Sequence, residues 1–263
     1  DRGGIIAVTM PGFGKTKDTK SNALALMEAM NATVKTVDIT GTVLKHFEDI
    51  GHDKNTFDAT YENAQARYRT MILMDLANQT GGLVIGTGDL SELALGWCTY
   101  NGDHMSMYAV NCSVPKTLVK TLVKYEGDRL GGQVKKVLDA VLSTEISPEL
   151  LPPDKAGKIA QKTEDLVGPY ELHDFFLYHF IRRGESPSKI YYLAQRAFEG
   201  AYSDATIKKW LVSFYRRFFS QQFKRNCVPD GVKIGSVSLS PRADWRMPSD
   251  VQASLWLDEA EKL

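Results

Sequence analysis

A glycine turn between a short apolar segment and a helix is the part of this sequence best suited to bind an anion. The apolar residues 83–85 lead directly into Gly-Thr-Gly at 86–88, and Asp89 follows where a helix is predicted to begin. The first amides of a helix have no partner within it, and glycine lets a phosphate approach the backbone closely. A polar segment, Tyr-Asn-Gly-Asp-His, follows at 100–104. The region 82–124 is therefore predicted to be a ligand site.

The side chains of Thr87, Glu92 and Lys116 in this region suit a phosphate or a metal ion. Asp89 and Glu92 have the spacing of a capping box, in which each side chain accepts a backbone amide of the other. The alternative is that Glu92 also faces a ligand or Mg²⁺. Thr87 offers a hydroxyl where a phosphate or ribose would lie. Lys116 follows Pro115 at a predicted helix start, where the helix dipole disfavours a cation, so an anion is expected nearby.

Two further places carry polar side chains whose purpose the local sequence leaves open. Asn63 and Arg67 lie one turn apart on a predicted helix, so they can bind one carboxylate or phosphate together. The alternative is that Arg67 forms a surface ion pair. Lys224 lies near the predicted end of the last long helix, where cations are expected in any case.

Alternating strands and helices must position these residues in the first 147 residues. Such alternation favours right-handed βαβ units, so the expected fold is α/β, with helices on both faces of a parallel sheet. Ligands bind beyond the carboxyl ends of such strands, and the segments 10–14 and 86–89 both follow strands, which predicts one shared cleft. The predicted strands are 5–10, 34–39 and 83–85, and the predicted helices are 22–30, 42–50 and 61–77.

From residue 148 onward the pattern becomes mainly helical. Prolines at 148, 152 and 153 interrupt the chain. We expect a nucleotide-binding α/β part at 1–147 and a helical extension with a tail at 148–263, packed on the same domain. The predicted helices of this part are 171–183, 188–199 and 204–224. The aromatic side chains at 175–180 and 214–219 are expected to form a core.

Composition excludes several classes of protein. Lys plus Arg and Asp plus Glu both total 32, which gives a formal net charge of zero and no general attraction to nucleic acid or an anionic membrane. No run of eighteen apolar residues and no signal-peptide pattern occurs, so we expect a cytoplasmic protein without a membrane partner. Three cysteines and five histidines without metal-ligand spacing predict reduced thiols and no structural metal.

Several longer motifs resemble the NAD synthetase family. They are MPGFG from Met10, YENAQAR from Tyr61, GTGDLSELALGW from Gly86, VPKTL from Val114, QFKRNCVPDG from Gln222 and LSPRADWRMPSD from Leu239. The resemblance covers essentially the whole chain. It is to the C-terminal synthetase domain of the bacterial glutamine-dependent enzyme, whose fold is adenine nucleotide alpha-hydrolase-like, of the ATP pyrophosphatase type.

The resemblance implies a carbon–nitrogen ligase that amidates deamido-NAD to NAD. ATP would adenylate the nicotinate carboxylate, and ammonia from a glutaminase domain of the same polypeptide would displace AMP. It also implies a homodimer or higher homo-oligomer, with ATP and Mg²⁺ required and no tightly bound cofactor. The implied ATP-binding residues are Thr87, Lys116 and Thr144. The implied deamido-NAD-binding residues are Asn63, Arg67, Glu92, Trp97, Tyr100, Asp103 and Lys224, and Glu92 is also the implied metal ligand.

One family motif does not occur in these 263 residues. The family's phosphate loop is a Ser-Gly-Gly-x-Asp-Ser run after a first strand, whereas this chain opens with Asp-Arg-Gly-Gly. We therefore expect a fragment that alone makes no NAD, and its catalytic residues are left unassigned. The alternatives are a non-catalytic nucleotide-binding or oligomerisation fragment, and a different ATP-pyrophosphatase amidotransferase such as a GMP-synthetase-like ligase.

Overall fold

The computed structural model describes residues 4–14, 17–144, 146–147, 150–152 and 163–263, with only the backbone described for 17–21. Residues 1–3 lie outside these ranges, as do Pro148 and Pro153, two of the three prolines predicted to interrupt the chain. In chain order the elements are β1 (Ile6–Thr9), α1 (Lys17–Ala29), β2 (Thr33–Thr36), α2 (Thr40–Ile50), α3 (Ala59–Thr80), β3 (Ile85–Gly86), α4 (Leu90–Leu95), β4 (Tyr108–Ala109), α5 (Lys116–Leu130), α6 (Gly132–Ser143), α7 (Thr163–Val167), α8 (Tyr170–Leu177), α9 (Pro187–Ala197), α10 (Asp204–Ser220), α11 (Gln222–Arg225) and α12 (Ser254–Glu261).

The chain forms two compact units, each assembled from two stretches of sequence. The first unit consists of Asp1–Gly82 and Val119–Thr163, and the second of Leu83–Leu118 and Glu164–Leu263. The predicted division between residues 147 and 148 stays a prediction. Parallel strands occur in both units, since β1 pairs with β2 and β3 pairs with β4.

Local sequence signals set the helix ends of the first unit. Gly51 ends α2 in a left-handed conformation, with φ of 71°, directly after the helix predicted over 42–50. Asp58 begins α3, because its Oδ1 accepts the Tyr61 amide at 3.0 Å. The helix predicted over 61–77 is therefore confirmed, and it is longer at both ends.

An apolar cluster with one buried amide side chain forms the core of the first unit. The cluster contains Met10, Ile39, Val43, Phe47 and Tyr61. The fully buried Gln65 donates from Nε2 to the Tyr61 carbonyl at 3.1 Å and to the Leu150 carbonyl at 2.9 Å. Its Oε1 accepts the Phe13 amide at 3.3 Å, so the turn after β1 is tied to α3.

The strand predicted over 5–10 is confirmed, but it is less covered than its unbroken apolar sequence suggests. Ile5 is 56% exposed and Ile6 is 42% exposed, whereas Thr9 and Met10 are buried. In the described part of the chain β1 has one neighbouring strand, β2, and a two-stranded ribbon cannot bury both faces of its strands.

Aromatic side chains of α8 and α10 form the core of the second unit, as predicted, but the prediction is wrong for Tyr178, which is 44% exposed. Phe176, Phe214 and Phe218 are fully buried, and Phe180 meets the ring of Phe218 edge-on at 5.3 Å. The helix predicted over 171–183 runs as α8 to Leu177 and continues as a π-helical turn from Tyr178 to Arg182.

The helix predicted over 204–224 is wrong at its C-terminal end. α10 ends at Ser220, Gln221 has φ of −98° and ψ of 11°, and α11 follows as a separate turn. Lys224 therefore lies in a short second helix and not at the end of the long one. The α/β class with parallel strands is confirmed. No helix among the residues described is long and apolar enough to cross a membrane.

Candidate functional site

The start of α4 is held by a reciprocal pair of hydrogen bonds. Asp89 Oδ1 accepts the Glu92 amide at 3.0 Å, and Glu92 Oε2 accepts the Asp89 amide at 3.2 Å. The predicted capping box is confirmed. The glycine turn at 86–88 leads from β3 into this cap, so two carboxylates lie beside a turn whose backbone is open to a ligand.

Lys116 forms an ion cluster with both carboxylates of the capping box. Its Nζ lies 2.5 Å from Asp89 Oδ2 and 2.7 Å from Glu92 Oε1, and 5.5 Å from the centre of the Tyr170 ring. The expectation of an anion near Lys116 is thus met by the protein's own side chains. In a ligand complex they would compete with a phosphate for the same ammonium.

The cluster holds two carboxylates and one ammonium, which leaves a formal charge of −1 in a partly buried place. Burial and, after it, the negative charge of Asp89 together raise the pKa of Glu92 to about 7, although Lys116 opposes the rise. Burial alone would lower the pKa of Lys116, but the two carboxylates outweigh burial and raise it. The cluster therefore attracts a proton or a second cation near neutral pH.

A cavity of about 130 Å³ opens beside the cluster. It is bounded by the turn at 86–88, by Asp89 and Glu92, by parts of the segment 98–112, and by Val228 and Pro229. This volume exceeds the space needed for several water molecules. Thr87 is exposed at the cavity wall. An ATP-binding role for Thr87 stays a prediction.

Ser106 contributes a buried hydroxyl to the same cavity. Among the residues that the structure describes, its Oγ has no hydrogen-bond partner, and a Cβ at position 86 would lie only 2.5 Å from it. Gly86 is therefore required here for close packing. Ser106 lies in the region 82–124, which the sequence predicts to be a ligand site. The sequence does not single out Ser106, because the burial of its hydroxyl depends on tertiary packing.

The polar segment 100–104 is ordered by stacking and by hydrogen bonds. Tyr100 stacks on His104 at 5.3 Å between ring centres, and Asp103 accepts the Thr99 amide at 2.8 Å. His104 accepts the Asn101 amide at Nδ1, so its Nε2 carries the proton and donates to the Lys224 carbonyl at 3.0 Å. Burial lowers the pKa of His104 and favours this neutral form. The deamido-NAD roles of Tyr100 and Asp103 stay predictions.

Lys224 and Trp97 lie at the opposite end of α4. The Lys224 ammonium donates to the carbonyls of Gly96 and Cys98, both at 2.7 Å. Burial lowers the pKa of Lys224, although Cys98 and Asp103 oppose this. The Arg217 guanidinium lies 5.3 Å from the centre of the Trp97 ring. Both residues therefore have structural partners, and their deamido-NAD roles stay predictions.

Three predicted site residues belong to the first unit. Asn63 is half-buried and Arg67 is exposed, one turn apart on α3. Thr144 follows α6, where its Oγ1 donates to the Ala140 carbonyl at 2.9 Å and accepts from Asn22 at 3.4 Å. The ligand roles of all three residues stay predictions.

The donor set at the capping box fits a metal ion that is held mainly by a nucleotide. No group of three or more His, Cys, Asp or Glu side chains that could hold a metal occurs in the described ranges. Asp89 and Glu92 still offer two carboxylates at the cavity wall. Mg²⁺ bound with phosphates takes only one or two carboxylates from the protein. The pair satisfies that requirement, with Lys116 as a competing cation.

Comparisons with known proteins agree on one family. The NAD synthase family model matches residues 2–217. A glutamine-dependent NAD(+) synthetase of Mycobacterium leprae (strain TN) is 45% identical over 286 aligned residues, covering 99% of this chain and 42% of that protein. The corresponding enzyme of Mycobacterium tuberculosis (strain ATCC 25618 / H37Rv) is 43% identical with the same coverage. The chain thus spans less than half the length of these relatives.

A solved structure confirms the fold. The crystal structure of a glutamine-dependent NAD(+) synthetase from Cytophaga hutchinsonii superposes with a TM-score of 0.75 and covers 97% of this chain and 40% of that one. The sequence identity is 20%, so this likeness concerns the fold alone. With the family model matching most of its residues, the chain belongs to the NAD synthase family.

Proposed function

We propose that this chain is the synthetase part of a glutamine-dependent NAD synthetase. The observation that carries the proposal is the cluster of Asp89, Glu92 and Lys116 beside the glycine turn, in a chain that belongs to the NAD synthase family. The cluster joins a cation and two carboxylates beside the glycine turn, and both carboxylates line one cavity. These are the groups that binding a nucleotide phosphate with its metal ion requires.

The proposed reaction has two steps. An oxygen of the deamido-NAD carboxylate attacks the α-phosphorus of ATP, and the bond to the β-phosphate breaks to release pyrophosphate. The nitrogen of ammonia then attacks the acyl carbon, the bond to AMP breaks, and NAD and AMP are released. The protein contributes mainly positioning and charge stabilisation to such steps.

Each proposed role follows from the side chain's chemistry. Lys116 offers its ammonium to the ATP phosphates, with Thr87 and Thr144 as hydroxyl donors. Glu92 would hold Mg²⁺, which when bound neutralises phosphate charge. The proposed contacts to deamido-NAD are Asn63, Arg67, Glu92, Trp97, Tyr100, Asp103 and Lys224.

The proposal extends to partners and location. Ammonia would come from a glutaminase domain of the same polypeptide, and the enzyme would act in the cytoplasm as a homodimer or higher homo-oligomer. Size-exclusion chromatography with light scattering tests the oligomer. NAD formation with glutamine as the nitrogen source tests the glutaminase domain.

Exchange of labelled pyrophosphate into ATP tests the first step directly. In the full-length polypeptide we expect exchange only when deamido-NAD is present, and NAD formation when ammonium is added. Lys116→Ala should reduce the exchange at least tenfold. Lys120→Ala removes an exposed lysine one turn later on α5 and should leave the rate unchanged.

Other outcomes would identify the alternatives. Exchange that depends on a different nucleotide acid would indicate another ATP-pyrophosphatase ligase. Calorimetric binding of deamido-NAD without any exchange would indicate a binding or oligomerisation module.

A further inference from the structure

The first turn of α5, which carries Lys116, is held by side chains from two other helices. The Lys116 amide donates to Ser91 Oγ of α4 at 2.8 Å. The Thr117 amide donates to Asp174 Oδ2 of α8 at 3.1 Å, and the Thr117 hydroxyl donates to the same oxygen at 2.7 Å. The Ser91 hydroxyl donates in turn to Asp174 Oδ1. One carboxylate therefore receives three hydrogen bonds, and it connects α4, α5 and α8.

These bonds satisfy amides that have no partner within α5. The first amides of a helix need acceptors from outside it, and a carboxylate is the most favourable acceptor because of the helix dipole. Asp174 supplies that acceptor from more than fifty residues away in sequence. Burial raises the pKa of Asp174, while the bonds from Ser91 and Thr117 oppose the rise.

The same bonds fix the backbone position of Lys116, from which its side chain extends. Its Cα belongs to the turn that Ser91 and Asp174 hold, and its ammonium reaches Asp89 and Glu92. Ser91 is also the neighbour of Glu92 on α4, so the network sets the two ends of the ion pair relative to each other. A shift of about 1 Å in such a group can cost a hundredfold in rate.

We infer that Asp174 is a positioning residue, which orients Lys116 for the synthetase reaction through Ser91 and Thr117. The inference rests on the proposed function. Asp174 acts through Lys116 and has no assigned contact with a substrate. Nothing in the local sequence around position 174 pointed to this role.

A double-mutant cycle in the full-length polypeptide tests this inference. The four proteins are the parent, Asp174→Asn, Lys116→Ala and the double variant, and the measurements are kcat and KM for ATP with deamido-NAD saturating. We expect Asp174→Asn to lower kcat/KM at least tenfold in the parent. In the Lys116→Ala background it should change kcat/KM less than twofold, because the group it positions is absent.

Two control variants separate positioning from general stability. Ser186→Ala removes the N-cap of α9, which accepts the Lys189 amide, and should lower the melting temperature without changing kcat/KM. Thr117→Ser keeps both groups that bind Asp174 and should keep full activity. If Asp174→Asn does not fold, Ser91→Ala interrupts the same network and takes its place in the cycle.

Equal fold-losses for Asp174→Asn with and without Lys116 would overturn the inference and leave Asp174 as a helix cap. A crystal structure of Asp174→Asn gives a test that is independent of activity. The inference expects the Lys116 ammonium to leave Glu92, and an unchanged ion pair would overturn it. A parent enzyme without deamido-NAD-dependent turnover would instead reject the proposed function.

Discussion

Replacing Arg225 by alanine should destabilise the second unit strongly. Arg225 is fully buried and has no carboxylate partner among its described contacts. Its Nη1 donates to the carbonyls of Leu93 at 3.1 Å and Ala94 at 3.0 Å, and its Nε donates to Gln222 Oε1 at 2.9 Å. Nη2 donates to the Phe218 carbonyl, and the guanidinium lies 4.3 Å from the centre of the Phe218 ring. Arg225 thus ties the C-terminal end of α4 to α10 and α11.

The magnitude follows from what the substitution leaves behind. Hydrogen bonds to a charged group contribute about 1.5–3 kcal/mol each, and a carbonyl buried without its partner costs about as much. The contributions do not add, because alanine also removes the cost of burying the charge. Because three carbonyls each lose a donor, at about 1–3 kcal/mol apiece, we expect a net loss of about 3–5 kcal/mol. That corresponds to a melting temperature lower by about 10 °C.

Urea and thermal unfolding, followed by tryptophan fluorescence, measure the effect. Arg216→Ala is the matched control, because Arg216 is 63% exposed and its ion pair with Glu261 at 3.1 Å should contribute less than about 1 kcal/mol. Arg225→Lys keeps the charge without the planar fork and should fall between the two. If Arg225→Ala unfolds within about 1 kcal/mol of Arg216→Ala, the buried guanidinium does not hold α4 and our reasoning is wrong.

Three further predictions concern other titratable side chains of the second unit. Lys224→Ala should lower the free energy of unfolding by about 1–3 kcal/mol, because two carbonyls lose a hydrogen bond. In the full-length enzyme it should also raise KM for deamido-NAD. An unchanged KM would leave Lys224 with a structural role only. Glu92→Gln keeps an acceptor for the Asp89 amide, so the melting temperature at pH 8 should be unchanged or higher. Turnover should collapse. Unchanged turnover would mean that Glu92 serves only as a helix cap. Burial lowers the pKa of His173 to about 4, whereas a histidine in the unfolded chain has a pKa of about 6.5. Between these two pH values only the unfolded chain binds the proton. The free energy of unfolding should therefore fall by about 3 kcal/mol as the pH falls from 6.5 to 4, and this contribution is fully present above pH 6.5. The difference in unfolding free energy between the parent and His173→Gln should therefore shrink over that range, and a constant difference would contradict the assignment.

The local features of the site could be read from the sequence because neighbouring residues form them. The glycine turn and the capping box of Asp89 and Glu92 each depend on residues a few positions apart, and Pro115 marks the helix start at Lys116, although distant side chains cap that helix. The caps at Gly51 and Ser186 follow from the same short-range chemistry. The family resemblance came from motifs of five to twelve residues, each of which is a continuous stretch of sequence.

Only the tertiary structure decided which charged groups meet. Lys116 pairs with carboxylates 24 and 27 positions earlier, and Asp174 caps a helix that begins 58 positions before it. The local sequence predicts only that Lys224 is a cation near a helix end. In the structure α10 stops at Ser220, and the next turn directs Lys224 and its neighbour Arg225 to carbonyls after or within α4. Local sequence predicts helix ends and turns, whereas the partner of a buried charge depends on how distant helices pack and on the cost of leaving that charge without one.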